Sequence, residues 1–411
     1  MPETPQLPSP PVRRRLLTVL FANSALSRTG LIAVLSVAAL AAEDMLSGSA
    51  TLGGLPAATA TVGIAIGTPP IAWLMARSGR RIGLAVGMLI SAAGAAAAAA
   101  AVNAGSFPLF VIGMFVFGAG ISAERLSRYA AADITPVSRQ AFAISLVVWA
   151  GTIGSVVGPS VLAPAKRFGE RLGLEGLAGP FVLAAGFAVI AAVVTVRWLR
   201  PDPLSFVPIR DSAAPRATVS SQLASPKVRT AVVALIVGQV VMVMIMTMTP
   251  VHIRRAGEDL GIVGLVIAAH TLGMFAFSPL TGFLSDRLGR VAVIVAGQAT
   301  LLASAIMASF AGGDDRLLLV ASLYLLGLGW NLGFVAASAL LTEDAPPETR
   351  VSLQGLADAT VWTSAAMASL SSGALLEAGS YSLLALIGAG LVAIPVAVLL
   401  RYRTALVAAS A

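Results

Sequence analysis

The chain has 411 residues, of which 57% are hydrophobic and only 11% charged, with a formal net charge of +8 and no cysteine. A soluble domain carries about 25% charged residues, so this composition excludes an ordinary soluble fold and makes a lipid bilayer the solvent. The missing cysteines exclude disulfides, thiolate chemistry and Cys-ligated metals.

A spanning helix needs about 20 apolar residues. Twelve stretches supply them, with approximate cores at 16–42, 52–76, 82–103, 106–127, 140–164, 178–199, 229–250, 260–284, 291–311, 317–341, 352–376 and 381–400. The tail 1–15 is Pro-rich and ends in Arg13-Arg14-Arg15. The apolar run behind it is too long for a signal-peptide core, so it reads as the first span. Asn23 and Arg28 lie within that span. Residues 92–101 read AAGAAAAAAA, a small-residue surface suited to close helix packing. The fifth span carries Trp149 and the series Gly151, Gly154, Gly158, Pro159. Segment 200–228 holds five prolines and several charges, and reads as a linker. The seventh span carries Gln239 and alternate methionines from Met242 to Met248, and the eighth carries His270. The tenth contains Tyr324 and Trp330-Asn331. The eleventh contains Asp358 and Trp362, and a tail follows at 401–411.

A basic turn closes the second span, Ala76-Arg77-Ser78-Gly79-Arg80-Arg81, and another closes the eighth, Asp286-Arg287-Leu288-Gly289-Arg290. Gly79 and Gly289 stand 210 positions apart. The segments ending in Arg139 and Arg350, each after the fourth span of its half, stand 211 apart. The expected fold class is therefore an all-α membrane protein of twelve transmembrane helices, in two pseudo-symmetric six-helix halves at 16–199 and 229–400. With twelve spans both termini share a side. Twenty of the 27 Lys and Arg residues fall on that side and six on the other, with Arg28 inside the first helix. The positive-inside bias makes both termini cytoplasmic. The basic excess reads as a topology signal and an anionic-lipid contact, and nucleic-acid binding is not expected.

The two turns resemble the loop pattern G-x-L-x-D-R-x-G-R-R of the major facilitator superfamily, found between its second and third helices and echoed between the eighth and ninth. The second copy matches through Gly282, Leu284, Asp286, Arg287, Gly289 and Arg290. The first keeps Arg77, Gly79, Arg80 and Arg81, but Ala72 replaces the Gly and Ala76 the Asp. The resemblance implies a cytoplasmic gate made by these turns, with the arginines pairing with acids such as Glu124 or Asp133. The alternative is that they anchor the helix at headgroup level. Gly154, Gly158 and Pro159 are similar to the fifth-helix motif of the superfamily's twelve-helix drug:proton antiporters, where the bend seals the outward side. Ser145, Leu162 and Ala163 depart from that motif, and plain helix packing is the alternative reading. Antiporters of this family often carry an Arg in the fourth helix where this chain has Met114, and the first helix here lacks an acid.

Ionisable residues within the hydrocarbon cost several kcal/mol, so Arg28, His270 and Asp358 are the proton-coupling candidates. Each has a structural alternative. Asp358 could pair with an Arg of the gating turn, and His270 could bond a backbone carbonyl or a Thr; Arg28 could attract an anionic substrate or neutralise an acid across the cavity, with a bond to backbone carbonyls as its structural alternative. By the resemblance, helices one, four, seven and ten line the cavity, with two, five, eight and eleven alongside. Asn23, Trp149, Gln239, Tyr324, Trp330, Asn331 and Trp362 are the substrate-cavity candidates. No catalytic residue, metal site or cofactor is expected. His252 and His270 are the sole histidines, the acidic pairs Glu43-Asp44, Asp314-Asp315 and Glu343-Asp344 sit at loops, and no Walker-type loop is present. An enzyme is not expected. The reading is a monomeric secondary transporter of a bacterial plasma membrane, surrounded by lipid. It moves a small-molecule substrate by alternating access, with protons as coupling ion, in the direction of efflux of hydrophobic or drug-like compounds. The alternative is proton-coupled uptake of a small nutrient.

Overall fold

The structure is a computed structural model that describes residues 7–46, 52, 54–207, 218–258, 260–343 and 345–408. Pro208, Arg210, Pro215 and Arg216 of the expected linker, and Asp344, lie outside the described residues. In chain order the helices are α1 Pro10–Met45, α2 Leu55–Ser78, α3 Arg80–Asn103, α4 Phe107–Asp133, α5 Gln140–Ser160, α6 Leu162–Arg171 and α7 Gly179–Trp198. There follow α8 Val219–Leu223, α9 Pro226–Arg255, α10 Leu260–Phe275, α11 Ser278–Leu288, α12 Arg290–Phe310, α13 Arg316–Glu343, α14 Pro347–Ala378, α15 Tyr381–Leu391 and α16 Ala393–Ala408. Each of the twelve expected stretches is occupied by a helix or by two consecutive ones.

Prolines start several of these helices. Pro10, Pro56, Pro108, Pro180, Pro226 and Pro347 sit in first turns, where the missing N–H would have no intrahelical partner. Prolines also divide spans that the sequence reads as single. Pro279 stands just inside α11 and Pro395 just inside α16, so the preceding turn loses a backbone bond and the helix breaks at 276–277 and at Val392. Gly79 and Gly289 adopt φ of 91° and 92°, left-handed values that a Cβ would strain. That is why a glycine recurs at the same place in both basic turns.

Eleven helical stretches among the described residues are long and apolar enough to cross a membrane. The eleventh span, α14, is the one not among them: it has the length at 32 residues but carries Glu348, Arg350, Gln354 and Asp358 along its first half. The Ala-rich part of α3 packs on α4 at backbone distance. A Cβ added to Gly113 would lie 2.7 Å from the Ala98 nitrogen, and Ala95, Ala98 and Ala99 are buried. Small residues bring two backbones together where lipid gives no hydrophobic drive.

The chain forms two compact units. The first comprises Met1–Thr135, Ala150–Pro215 and Pro347–Trp362; the second comprises Pro136–Trp149, Arg216–Pro346 and Thr363–Ala411. Helices α5 and α14 thus each contribute one part to either unit.

Candidate functional site

The first unit concentrates buried charge on α1, α4 and α14. Arg28, midway along α1, donates from Nε to Glu124 Oε1 of α4 at 2.9 Å, and both side chains are buried. Ser24, one turn earlier on α1, donates to the same oxygen. Helix α5 crosses α1 at this place. A Cβ on Gly154 would lie 2.8 Å from Arg28 Cβ, and one on Gly158 2.8 Å from Ile32 Cγ2. The two glycines of the antiporter-like series are therefore the positions where α5 meets α1, and α5 ends just past Pro159 at Ser160.

Asp358 lies about three turns into α14. Its Oδ1 accepts from Arg128 Nη2 at 2.5 Å and from the Tyr129 hydroxyl at 3.2 Å, while Oδ2 is buried without a hydrogen bond. Its arginine partner belongs to α4, not to the basic turn. Arg125 stands with its guanidinium 4.6 Å from the centroid of the Trp362 ring, and its Nε lies 3.7 Å from Glu124 Oε2. Asn23 is tied to α7, donating to Thr195 Oγ1 at 2.6 Å and Ala191 O at 3.4 Å.

The first basic turn has one fully buried arginine. Arg80 donates from Nε to Asp133 Oδ2 at 2.9 Å and from Nη2 to Gln354 Oε1 at 2.6 Å. Arg350 of α14 donates to the other Asp133 oxygen at 3.3 Å. Of the two acids the sequence offered to the turn, Asp133 takes it and Glu124 goes to Arg28. Arg77 is exposed and lies over Trp73. With Ala76 in place of the acid, a carboxylate arrives from elsewhere. Asp202 accepts from the Arg80 and Arg81 amides at 3.1 and 2.9 Å, at the start of α3. An anion suits the positive end of a helix dipole.

In the second unit Asp286 of the other turn accepts from the Ala141 and Phe142 amides at 3.1 and 2.8 Å, at the start of α5. Gly282, one turn earlier, leaves room there: a Cβ on it would lie 2.7 Å from Ala141 O. Arg290 is buried and donates to Glu343 and to Val137 O, whereas Arg287 is exposed over Phe283. The aromatic candidates separate. Trp330 donates to Gln239 Oε1 at 2.9 Å and stacks on Phe334 with centroids 4.4 Å apart. Tyr324 meets Phe277 edge-on, and Trp149 is 38% exposed. Asn331 closes the α10–α11 break. It donates to Met274 O and Ser278 Oγ at 2.7 and 2.6 Å, and accepts from Thr281 at 2.6 Å. Both of its amide hydrogens are used within the unit. His270 is wholly buried, with Nδ1 donating to Leu323 O at 3.0 Å and Nε2 unpartnered.

Sequence reasoning missed three charges packed inside α4, the buried Glu124 and Arg128 and the half-buried Arg125. The expected core of the fourth span stops at 127, which puts Arg125 and Arg128 at its loop end. The helix runs on to Asp133. The available signal was the absence of Gly and Pro between Gly120 and Pro136, with Glu124 and Arg128 one turn apart. Asp202 was missed because it sits in a Pro-rich segment.

A family model described as Major Facilitator Superfamily matches residues 17–263 and 255–409, nearly the whole described chain. The chain belongs to the major facilitator superfamily. It is a multi-pass membrane protein and a secondary transporter of that superfamily. It is 38% identical over 399 residues to the uncharacterized MFS-type transporter YdeG of Bacillus subtilis (strain 168), covering 95% of this chain and 93% of that protein. It is 30% identical over 372 residues to the riboflavin transporter RfnT of Brucella anthropi, covering 90% of each. Among solved structures it is similar in fold to the superfamily transporter FucP in the outward conformation. The TM-score is 0.74 at 17% identity, covering 93% of this chain and 97% of that one.

Proposed function

We propose that this transporter exports small hydrophobic or drug-like molecules in exchange for protons, by alternating access. The observation that carries the reading is the buried Arg28–Glu124 pair between α1 and α4. The superfamily's antiporters, by the resemblance above, place the acid on the first helix and an arginine on the fourth. Here the arginine is on α1 and the acid on α4, ten residues beyond Met114, so an ion pair links the same two helices with the signs the other way round. Protonation of Glu124 cancels the ion pair, releases Arg28 and loosens α1 where Gly154 and Gly158 of α5 cross it. A proton thus biases a two-state element, which is what coupling requires. Asp358 is the second candidate carrier, and His270 with its free Nε2 the third.

In this reading the halves 16–199 and 229–400, joined by the linker 200–228, rock about a midplane site. Both termini face the cytoplasm of a bacterial cell, and the two basic turns form the cytoplasmic gate. The transporter works as a monomer in contact with anionic lipid. Inverted vesicles under an imposed pH gradient test it by a substrate screen with proton flux as readout. Wild-type protein should show substrate-dependent flux, and Glu124→Gln should lose it. Substrate movement without proton flux overturns exchange. Running Asp358→Asn and His270→Ala in parallel assigns or removes the other two carriers.

A second reading is proton-coupled uptake of a small nutrient, supported by the 30% identity to a riboflavin transporter. Labelled riboflavin offered to whole cells separates the two. Accumulation above a vector control favours uptake. Export predicts no accumulation there, with flux only out of cells loaded with an exported compound.

A further inference from the structure

Apart from the cluster of Asp133 with Arg80 and Arg350, the first unit gathers three arginines and two carboxylates, Arg28, Arg125 and Arg128 with Glu124 and Asp358. Glu124 takes Arg28 at 2.9 Å, and Asp358 takes Arg128 at 2.5 Å. Arg125 is the surplus cation. Its distance of 3.7 Å to Glu124 Oε2 is too long for a hydrogen bond, and its buried Nε has no hydrogen-bond partner. Its side chain keeps 12% of its surface exposed. Beneath the guanidinium lies the Trp362 ring, itself packed against the apolar cluster of Leu31, Val34 and Met114. A guanidinium is a planar fork of donors that matches a carboxylate in two-point fashion, and an unbalanced cation within a spanning helix is costly.

We propose that Arg125 and Trp362 form the recognition site for a small aromatic monoanion. The carboxylate accepts from the free edge of the Arg125 guanidinium, and the ring packs beside the Trp362 indole. Binding brings three acids against three arginines. A neutral analogue of the same shape gains the ring contact alone. The inference deepens the transporter reading, since the bound anion is its cargo.

The test uses full-length protein in nanodiscs with two probes of equal shape, naphthalene-2-carboxylate and naphthalene-2-carboxamide, binding being read by calorimetry. The carboxylate should bind wild-type protein about tenfold more tightly than the amide. Arg125→Gln should abolish that preference, Arg125→Lys should keep part of it, and Trp362→Leu should weaken both probes. Equal affinities in the wild type, no binding of the carboxylate, or a preference undiminished in Arg125→Gln overturns the proposal. The wild-type comparison needs no variant, so a poorly folding Arg125→Gln leaves the test decisive. Failure here is distinct from failure of transport. A wild-type protein that moves a neutral cargo but does not prefer the carboxylate sinks this inference alone. Preference for the carboxylate with no flux of any cargo sinks the transporter reading alone.

Discussion

Gly355 of α14 faces Ala72 of α2 across a crossing that has no room for a second methyl group. A Cβ on Gly355 would come under 3.0 Å from the Ala72 Cβ. Shifting by the 210-residue repeat carries Ala72 onto Gly282 and Ser145 onto Gly355. Gly282 and Ser145 form the corresponding crossing in the second unit, where a Cβ on the glycine would also come under 3.0 Å from the serine Oγ. The glycine has changed sides between the two copies. Ala72, which departs from the family's basic-turn pattern, is matched by a glycine on the helix it touches.

The pairing predicts a rescue. Gly355→Ala should destabilise the protein by about 1–3 kcal/mol through overpacking. Adding Ala72→Gly should recover most of that loss. Thermal unfolding of the purified single and double variants checks it, and a double variant no more stable than Gly355→Ala rejects the crossing as the cause.

The second prediction concerns the two carboxylates at helix starts. Asp202 holds the first amides of α3, and Asp286 those of α5. Replacing either by Ala should cost about 0.5–2 kcal/mol, the range for loss of a helix N-terminal acceptor. The effect should be local. Amide hydrogen exchange should speed up around residues 80–84 for Asp202→Ala and around 141–145 for Asp286→Ala, each leaving the other helix unchanged.

What the sequence made visible follows from physics that is local in the chain. Apolar run length marked twelve stretches, all of them helical and eleven of them long and apolar enough to span. The repeated turn carried its own cause, a positive φ at Gly79 and Gly289. The alanines of α3 announced a close helix contact. The buried charges of α4 were hidden because the apolar run stops at Ile121 while the helix continues to Asp133. Pairing was hidden for a different reason. Arg28 and Glu124 are 96 positions apart, and nothing in either neighbourhood names the other. The bond from Asn331 to the Met274 carbonyl was hidden too, because it depends on a break that Pro279 makes 52 positions earlier.

The third prediction follows from that hidden pair. Removing one member of a buried ion pair leaves a charge without compensation and costs about 3–5 kcal/mol, whereas removing both can be nearly neutral. Arg28→Gln and Glu124→Gln should each lower the unfolding temperature more than the double variant does. Exchanging the two, Arg28→Glu with Glu124→Arg, should also exceed either single variant in stability. Strictly additive losses in this cycle reject a direct interaction.

Asp133 should be more sensitive than either arginine it serves. It is buried and takes Arg80 on Oδ2 and Arg350 on Oδ1, so one carboxylate compensates two cations from different helices. Asp133→Asn removes the negative charge and leaves both guanidiniums facing a neutral amide that can accept through one oxygen only. Arg350→Gln leaves the Arg80–Asp133 bond and the Arg80–Gln354 bond in place. Asp133→Asn should therefore be the most destabilising of the single changes, on the order of 3–5 kcal/mol. Combining it with Arg350→Gln should restore part of the loss, because the second change removes one of the stranded charges. The order of unfolding temperatures expected is wild type, then Arg350→Gln, then the double variant, then Asp133→Asn. A double variant below Asp133→Asn would mean that Arg350 is held by groups other than this carboxylate.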